Sequence, residues 1–181
     1  MADHSRQAGP SGLVLPTTAL SRGIDRLLAF TGELASALWT VLVVVIVVQV
    51  VARYAFGTGS IMMEELQWHL YAVGFMLGLG FTEMRERNVR IDVLAERWSQ
   101  RTRLKVELFG LVALLLSFVI VVLWFALPFV ATSWQLSEVS AAPGGLPYRW
   151  FLKSFLVTGF GLLALGAVGR ITRVWAALAR G

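Results

Sequence analysis

The chain has 181 residues, of which 57% are hydrophobic and only 15% charged, with a formal net charge of +5 and no cysteine. Soluble domains carry about 25% charged residues, so this composition, with a mean hydropathy of +0.71, argues against a water-solvated globule and for a chain embedded in lipid. Without Cys there are no disulfides, thiolate metal sites or cysteine nucleophile.

Residues 1–20 are polar and broken by Gly and Pro, with Pro16 interrupting the one apolar patch. They lack the basic start, apolar run and small-residue site of a cleaved leader and read as a flexible cytoplasmic tail. The uncharged stretch Leu34–Ala52 follows. Its β-branched centre would suit a strand in water, but its length and uniform apolarity predict a membrane helix. Ser21 is a candidate cap, and Ile24, Leu27 and Leu28 form an apolar stripe leading into the span.

A second span is predicted over about 66–82, opened by Glu64 and Glu65, whose carboxylates suit the positive end of a helix dipole. Gly74 and Gly78 at i, i+4 suggest a close helix contact. A third span, about 108–130, lies in an uncharged stretch longer than one crossing, so its helix tilts or ends near Pro128. The fourth runs over about 150–169, with Lys153 expected to snorkel and Trp150 and Trp175 flanking it as interfacial aromatics. Residues 176–181 form a C-terminal tail.

Between the second and third spans, Ile91, Leu94 and Trp98 recur at helical spacing among Arg90, Arg97 and Arg101. This predicts an amphipathic helix over about 88–104 in the membrane interface, attracted to anionic headgroups. Of the 16 Lys and Arg residues, only Arg53, Arg149 and Lys153 lie outside the N-terminal, middle and C-terminal basic regions. Four crossings put those three regions on one side, and the positive-inside rule makes that side the cytoplasm. The expected fold is therefore an all-α integral membrane protein: four transmembrane helices in a domain over 21–175, an interfacial helix, and both termini cytoplasmic.

Chemistry-bearing residues are sparse. His4 and His69 are the two histidines, and His69 alone cannot supply the paired axial ligands of an intramembrane haem. Glu64, Glu65 and His69 make at most a weak metal site. A hydrogen-bonded helix start is the better reading. Gln49 is the strongly polar residue deep in span one, and Glu33 lies near an end. No midplane carboxylate, internal repeat or matched broken helices mark a transport path. No catalytic, cofactor or metal residue is assigned, and the chain reads as a supplier of helices and surfaces.

The runs VVARYAFGTGSIMMEEL and FTEMRERNVRIDVL resemble the small membrane subunit, DctQ-like, of tripartite ATP-independent periplasmic (TRAP) transporters. The resembling features are Arg53, Tyr54 and Phe56 after the first span; Glu64 and Glu65 opening the second; and Arg85, Arg87, Arg90 and Asp92 after it. The likeness extends over about residues 20–175 and departs at Asn88, where many relatives carry His. It implies a non-enzymatic role in uptake of a solute, often an organic acid, across the bacterial inner membrane. The implied partners are a large membrane permease subunit that moves the solute, driven by an ion gradient, and a periplasmic solute-binding protein. Arg53, Glu64 and Glu65 are then candidates for docking the binding protein, or for pairing with one another. Arg90 and Asp92 are candidates for orienting the cytoplasmic helix. The competing classes are a membrane anchor of a redox enzyme, a homodimeric four-helix efflux protein and, last, an intramembrane enzyme.

Overall fold

The computed structural model describes residues 13, 15–85 and 98–180. Among the described residues the regular secondary structure is all helical: α1 (Ala19–Phe56), α2 (Ile61–Met84), α3 (Gln100–Gln135) and α4 (Arg149–Arg180). The predicted spans fall inside these four helices, in order. Of the four, α1, α3 and α4 are long and apolar enough to cross a membrane. Length is not what sets α2 apart, since 24 residues reach about 36 Å, against an apolar bilayer core of about 30 Å. Its apolar run is diluted by Gln67 and His69 near one end and Glu83 at the other.

Local chemistry sets the ends. Thr18, not Ser21, caps α1: its hydroxyl accepts from the Ser21 N–H at 3.1 Å, and the Ser21 hydroxyl accepts in return from the Thr18 N–H at 3.0 Å. Gly57 closes α1 at φ 64°, a left-handed conformation that glycine adopts without a Cβ penalty, and donates to the Ala52 carbonyl. Ser60 and Ser99 cap α2 and α3 by accepting from the Met63 and Thr102 N–H groups. Residues 86–97, with most of the expected interfacial helix and both Arg90 and Asp92, lie outside the described residues. From Gln100 onward the chain already belongs to α3.

Pro128 sits inside α3, which runs on to Gln135. Seven residues of α3, Gly110–Leu116, are π-helical. The buried residues along α3 are Leu104, Leu111, Val119, Ala126 and Ser133. Each step is seven residues, about two α-turns, except the step of eight from Leu111 to Val119. The π-helical stretch covers the first turn of that step and absorbs the additional residue.

Helix α4 is the hub: α2 packs along it most extensively, and α1 and α3 also lean on it. Glycine makes the α2–α4 crossing close. A Cβ on Gly80 would stand 2.8 Å from the Leu162 carbonyl oxygen, and one on Gly159 would stand 2.8 Å from that of Met76. Gly74 faces Trp39 of α1, whereas Gly78 has nothing within 4 Å. The close approach is therefore made by Gly80, not by the predicted Gly78.

The core is small. Ile24, Leu28, Ala35, Leu77 and Leu162 form one cluster; Leu13, Leu104 and Val174 form another. Leu13, in the stretch read as a tail, is 3% exposed. Most of the large apolar side chains of α1 and α3 point outward, among them Val43, Val47, Val51, Phe118, Trp124 and Phe125. In water these faces would drive aggregation; in lipid they are ordinary surface.

Candidate functional site

Polar side chains gather at the two ends of the bundle. At one end lie the α1–α2 turn and the 136–148 loop. Glu65, in the first turns of α2, accepts from the Ser140 hydroxyl with Oε1 and from the Leu146 N–H with Oε2 at 2.6 Å. One carboxylate thus holds both arms of the loop. The loop folds on itself as well: Ser140 N–H donates to Leu146 O at 3.2 Å, and Gly145 N–H to Ala142 O at 3.0 Å. The Ser140 and Leu146 donors hold the Glu65 carboxyl below the usual glutamate range, since both favour its ionised form. Glu65 lies just outside the apolar run 66–82.

Glu138, in the same loop, pairs with Lys153 and lies 4.0 Å from Arg149. The Lys153 ammonium holds the Glu138 carboxyl below its ordinary value. Lys153 also stands 4.0 Å from the Phe129 ring centroid, a cation–π contact. Its tether is thus Glu138 and an aromatic face. Gln67 donates to Gln49 between α2 and α1, which gives the one deep polar residue of span one a partner. The His69 Nδ1 lies 2.6 Å from the Glu65 carbonyl oxygen.

Glu65 is thus drawn to a loop 75 and 81 residues further along the chain. Arg53 and Glu64 stand exposed at the same end, and among the described residues no ion pair joins Arg53 to Glu64 or Glu65.

The opposite end holds a feature that sequence reasoning missed. Arg170 of α4 pairs with Glu107 of α3, and Arg173 of α4 with Asp25 of α1. The Arg170 side chain is 5% exposed. Glu83 of α2, also buried, lies beside Gly166, one turn before Arg170: a Cβ on Gly166 would be 3.3 Å from Glu83 Cγ. Every helix contributes a charge to this girdle, and Thr18 adds a hydroxyl contact to Thr172 at 3.1 Å. The arginine spacing i, i+3 places both on one side of α4, but their partners are 63 and 148 residues away.

Among the described residues, no group of three or more His, Asp or Glu side chains could hold a metal ion. An open apolar groove lies between α3 and α4, lined by Val121, Val122, Phe125, Ala126, Phe129 and Leu156. The arrangement can hold helices together and present surfaces. A family model described as tripartite ATP-independent periplasmic transporters, DctQ component, matches residues 42–177, about three-quarters of the chain. Comparison with curated proteins gives no match.

Proposed function

Because the chain belongs to the DctQ component family of tripartite ATP-independent periplasmic transporters, and is the small membrane subunit of such a system, we propose how it serves the other components. It pairs in the bacterial inner membrane with the large permease subunit. It also helps dock the periplasmic solute-binding protein during ion-gradient-driven uptake of an organic acid. The observation that carries this reading is the separation of surfaces. Apolar side chains such as Val43, Val47 and Val51 of α1 and Phe118, Ile120 and Trp124 of α3 stand exposed. The described ion pairs lie at the two ends of the bundle. Such a body suits a membrane scaffold between larger partners.

In this reading α2 crosses as well, making four crossings, both termini are cytoplasmic, and the Arg53 end faces the periplasm. The polar α2 crosses because α1 and α4 cover it, with Gln67 and Glu83 away from lipid. Arg53 and Glu64 face the binding protein, with Glu65 beside them. Arg90 and Asp92 orient the cytoplasmic segment, so Asp92→Ala lowers the yield of assembled complex more than it changes affinity for solute.

The test is capture of the C-terminally tagged chain from its native host in mild detergent, with co-purifying proteins identified by mass spectrometry. A large polytopic partner in about equal amount supports pairing. Recovery alone, or with a haem- or flavin-containing complex, refutes it. Because the chain has no Cys, single-cysteine labelling tests the topology. Gly59→Cys and Ala141→Cys should react with an impermeant maleimide from outside, and Arg180→Cys should not.

A further inference from the structure

We propose that Glu65 is a positioning residue: it holds the 136–148 loop as a preformed platform that the periplasmic solute-binding component rests on. This rests on the docking reading above and divides the acidic pair by role. Glu64 is exposed and free to meet a partner, whereas both oxygens of Glu65 are engaged by the loop.

Three observations carry the proposal. First, Glu65 grips the loop at Ser140 and at Leu146, so one side chain fixes both arms. Second, the fit leaves no slack. A Cβ on Gly145 would stand 2.5 Å from the Ser140 Cβ and 2.8 Å from Glu65 Oε2. The loop is bounded by two non-glycine residues at left-handed φ, Ser137 at 46° and Tyr148 at 62°. Such conformations persist only where surrounding bonds over-determine them. Third, the loop turns apolar side chains outward: Leu136, Val139 and Tyr148 are 72%, 62% and 68% exposed. A hydrogen-bonded loop that displays large apolar groups on a rigid base is the arrangement expected of a recognition element. A component that delivers solute from the periplasm meets the membrane subunits at this end in the proposed topology.

The complete transporter, reconstituted in vesicles with its solute-binding protein, provides the test. Uptake is measured against the concentration of added binding protein, and amide exchange of Leu146 reports the state of the loop. Glu65→Gln removes the charge. Gly145→Ala keeps it but wedges a methyl group into the grip. Both should expose the Leu146 amide and raise the half-saturating concentration of binding protein about ten-fold, with the maximal rate within about two-fold. Val139→Ser, which leaves the Glu65 bonds in place, should raise that concentration without exposing Leu146.

Unchanged saturation in Glu65→Gln and Gly145→Ala, with the loop opened, overturns the positioning role and leaves the docking reading standing. A loss of maximal rate alone, or a Leu146 amide that stays protected in both variants, also overturns it. Wild-type uptake that does not depend on added binding protein defeats the docking reading itself. Should either loop variant fail to assemble, Val139→Ser decides alone: unchanged saturation overturns the platform.

Discussion

Replacing Gly80 by alanine tests whether the α2–α4 crossing is held by close backbone contact. The added Cβ would lie 2.7 Å from Leu28 Cδ2, 2.8 Å from the Leu162 carbonyl oxygen and 2.9 Å from its carbon. The Leu28 methyl can turn aside in principle, but that side chain is wholly buried; the Leu162 backbone cannot move without α4. Relief requires the helices to part by roughly half an ångström, enough to forfeit a quarter or more of the dispersion energy of each atom pair along the seam. Overpacking of this kind costs about 1–3 kcal/mol, set against about 1 kcal/mol gained from replacing glycine in a helix. Gly78→Ala is the internal control, because that position has nothing within 4 Å. It should be neutral or stabilising by up to about 1 kcal/mol. Equilibrium unfolding in mixed micelles, followed by circular dichroism, measures both. Equal stability of the two variants, or a loss at Gly78 as large as at Gly80, would refute the packing argument.

Arg170→Met should destabilise the same protein by about 1–3 kcal/mol, because it removes a buried guanidinium from its pair with the partly buried Glu107; wild-type stability in micelles would count against a structural girdle. A double-mutant cycle of Gln49→Leu and Gln67→Leu should give a coupling of about 0.6 kcal/mol, the usual scale of a hydrogen bond between membrane helices. A coupling indistinguishable from zero would mean the pair contributes nothing. Glu138 provides a pH test. Its carboxyl is lowered in the folded state by Lys153, so its contribution is present above the ordinary glutamate value of 4.5 and is lost as pH falls through the lower folded value. Thermal stability should stay flat from neutrality down to that region and then drop. In Lys153→Met the drop should begin at higher pH, and an unshifted profile would sink the assignment.

The apolar runs were legible because a bilayer imposes length and uniformity on a segment, and both are visible without a structure. The helix ends were legible only approximately. Helix α1 begins at Ala19, close to the start that Ser21 and the stripe of Ile24, Leu27 and Leu28 suggest, but Thr18 makes the cap. Ile24 and Leu28 are buried as the stripe implies, whereas Leu27 is exposed, because only the face turned to the other helices is covered. The glycine contact in α2 was anticipated in kind, but Gly80 replaced Gly78 because the α4 backbone passes on that side. Glu65 was legible as a helix-start carboxylate. Its grip on Ser140 and Leu146 was not, since nothing local links α2 to a loop that far along the chain. The same limit hid the Arg170 and Arg173 pairs. Sequence counts those arginines toward the charge of a region, and only the fold shows that their partners come from α3 and α1.

The π-helical stretch of α3 implies something about what this helix can lose. Adding or removing one residue in an α-helix turns everything beyond it by about 100°. The burial pattern already contains such an offset, a step of eight among steps of seven, and the widened turn of Gly110–Leu116 takes it up. Deleting one residue there would close the turn to ordinary α-geometry and leave both halves in phase, with Glu107 still opposite Arg170 and Val119 still inward. The same deletion a few turns later, between Val119 and Ala126, would rotate the far end out of register. Tolerance to single-residue deletion along α3 should therefore peak in one short window, and α3 can be viewed as two separately phased halves joined by a spacer.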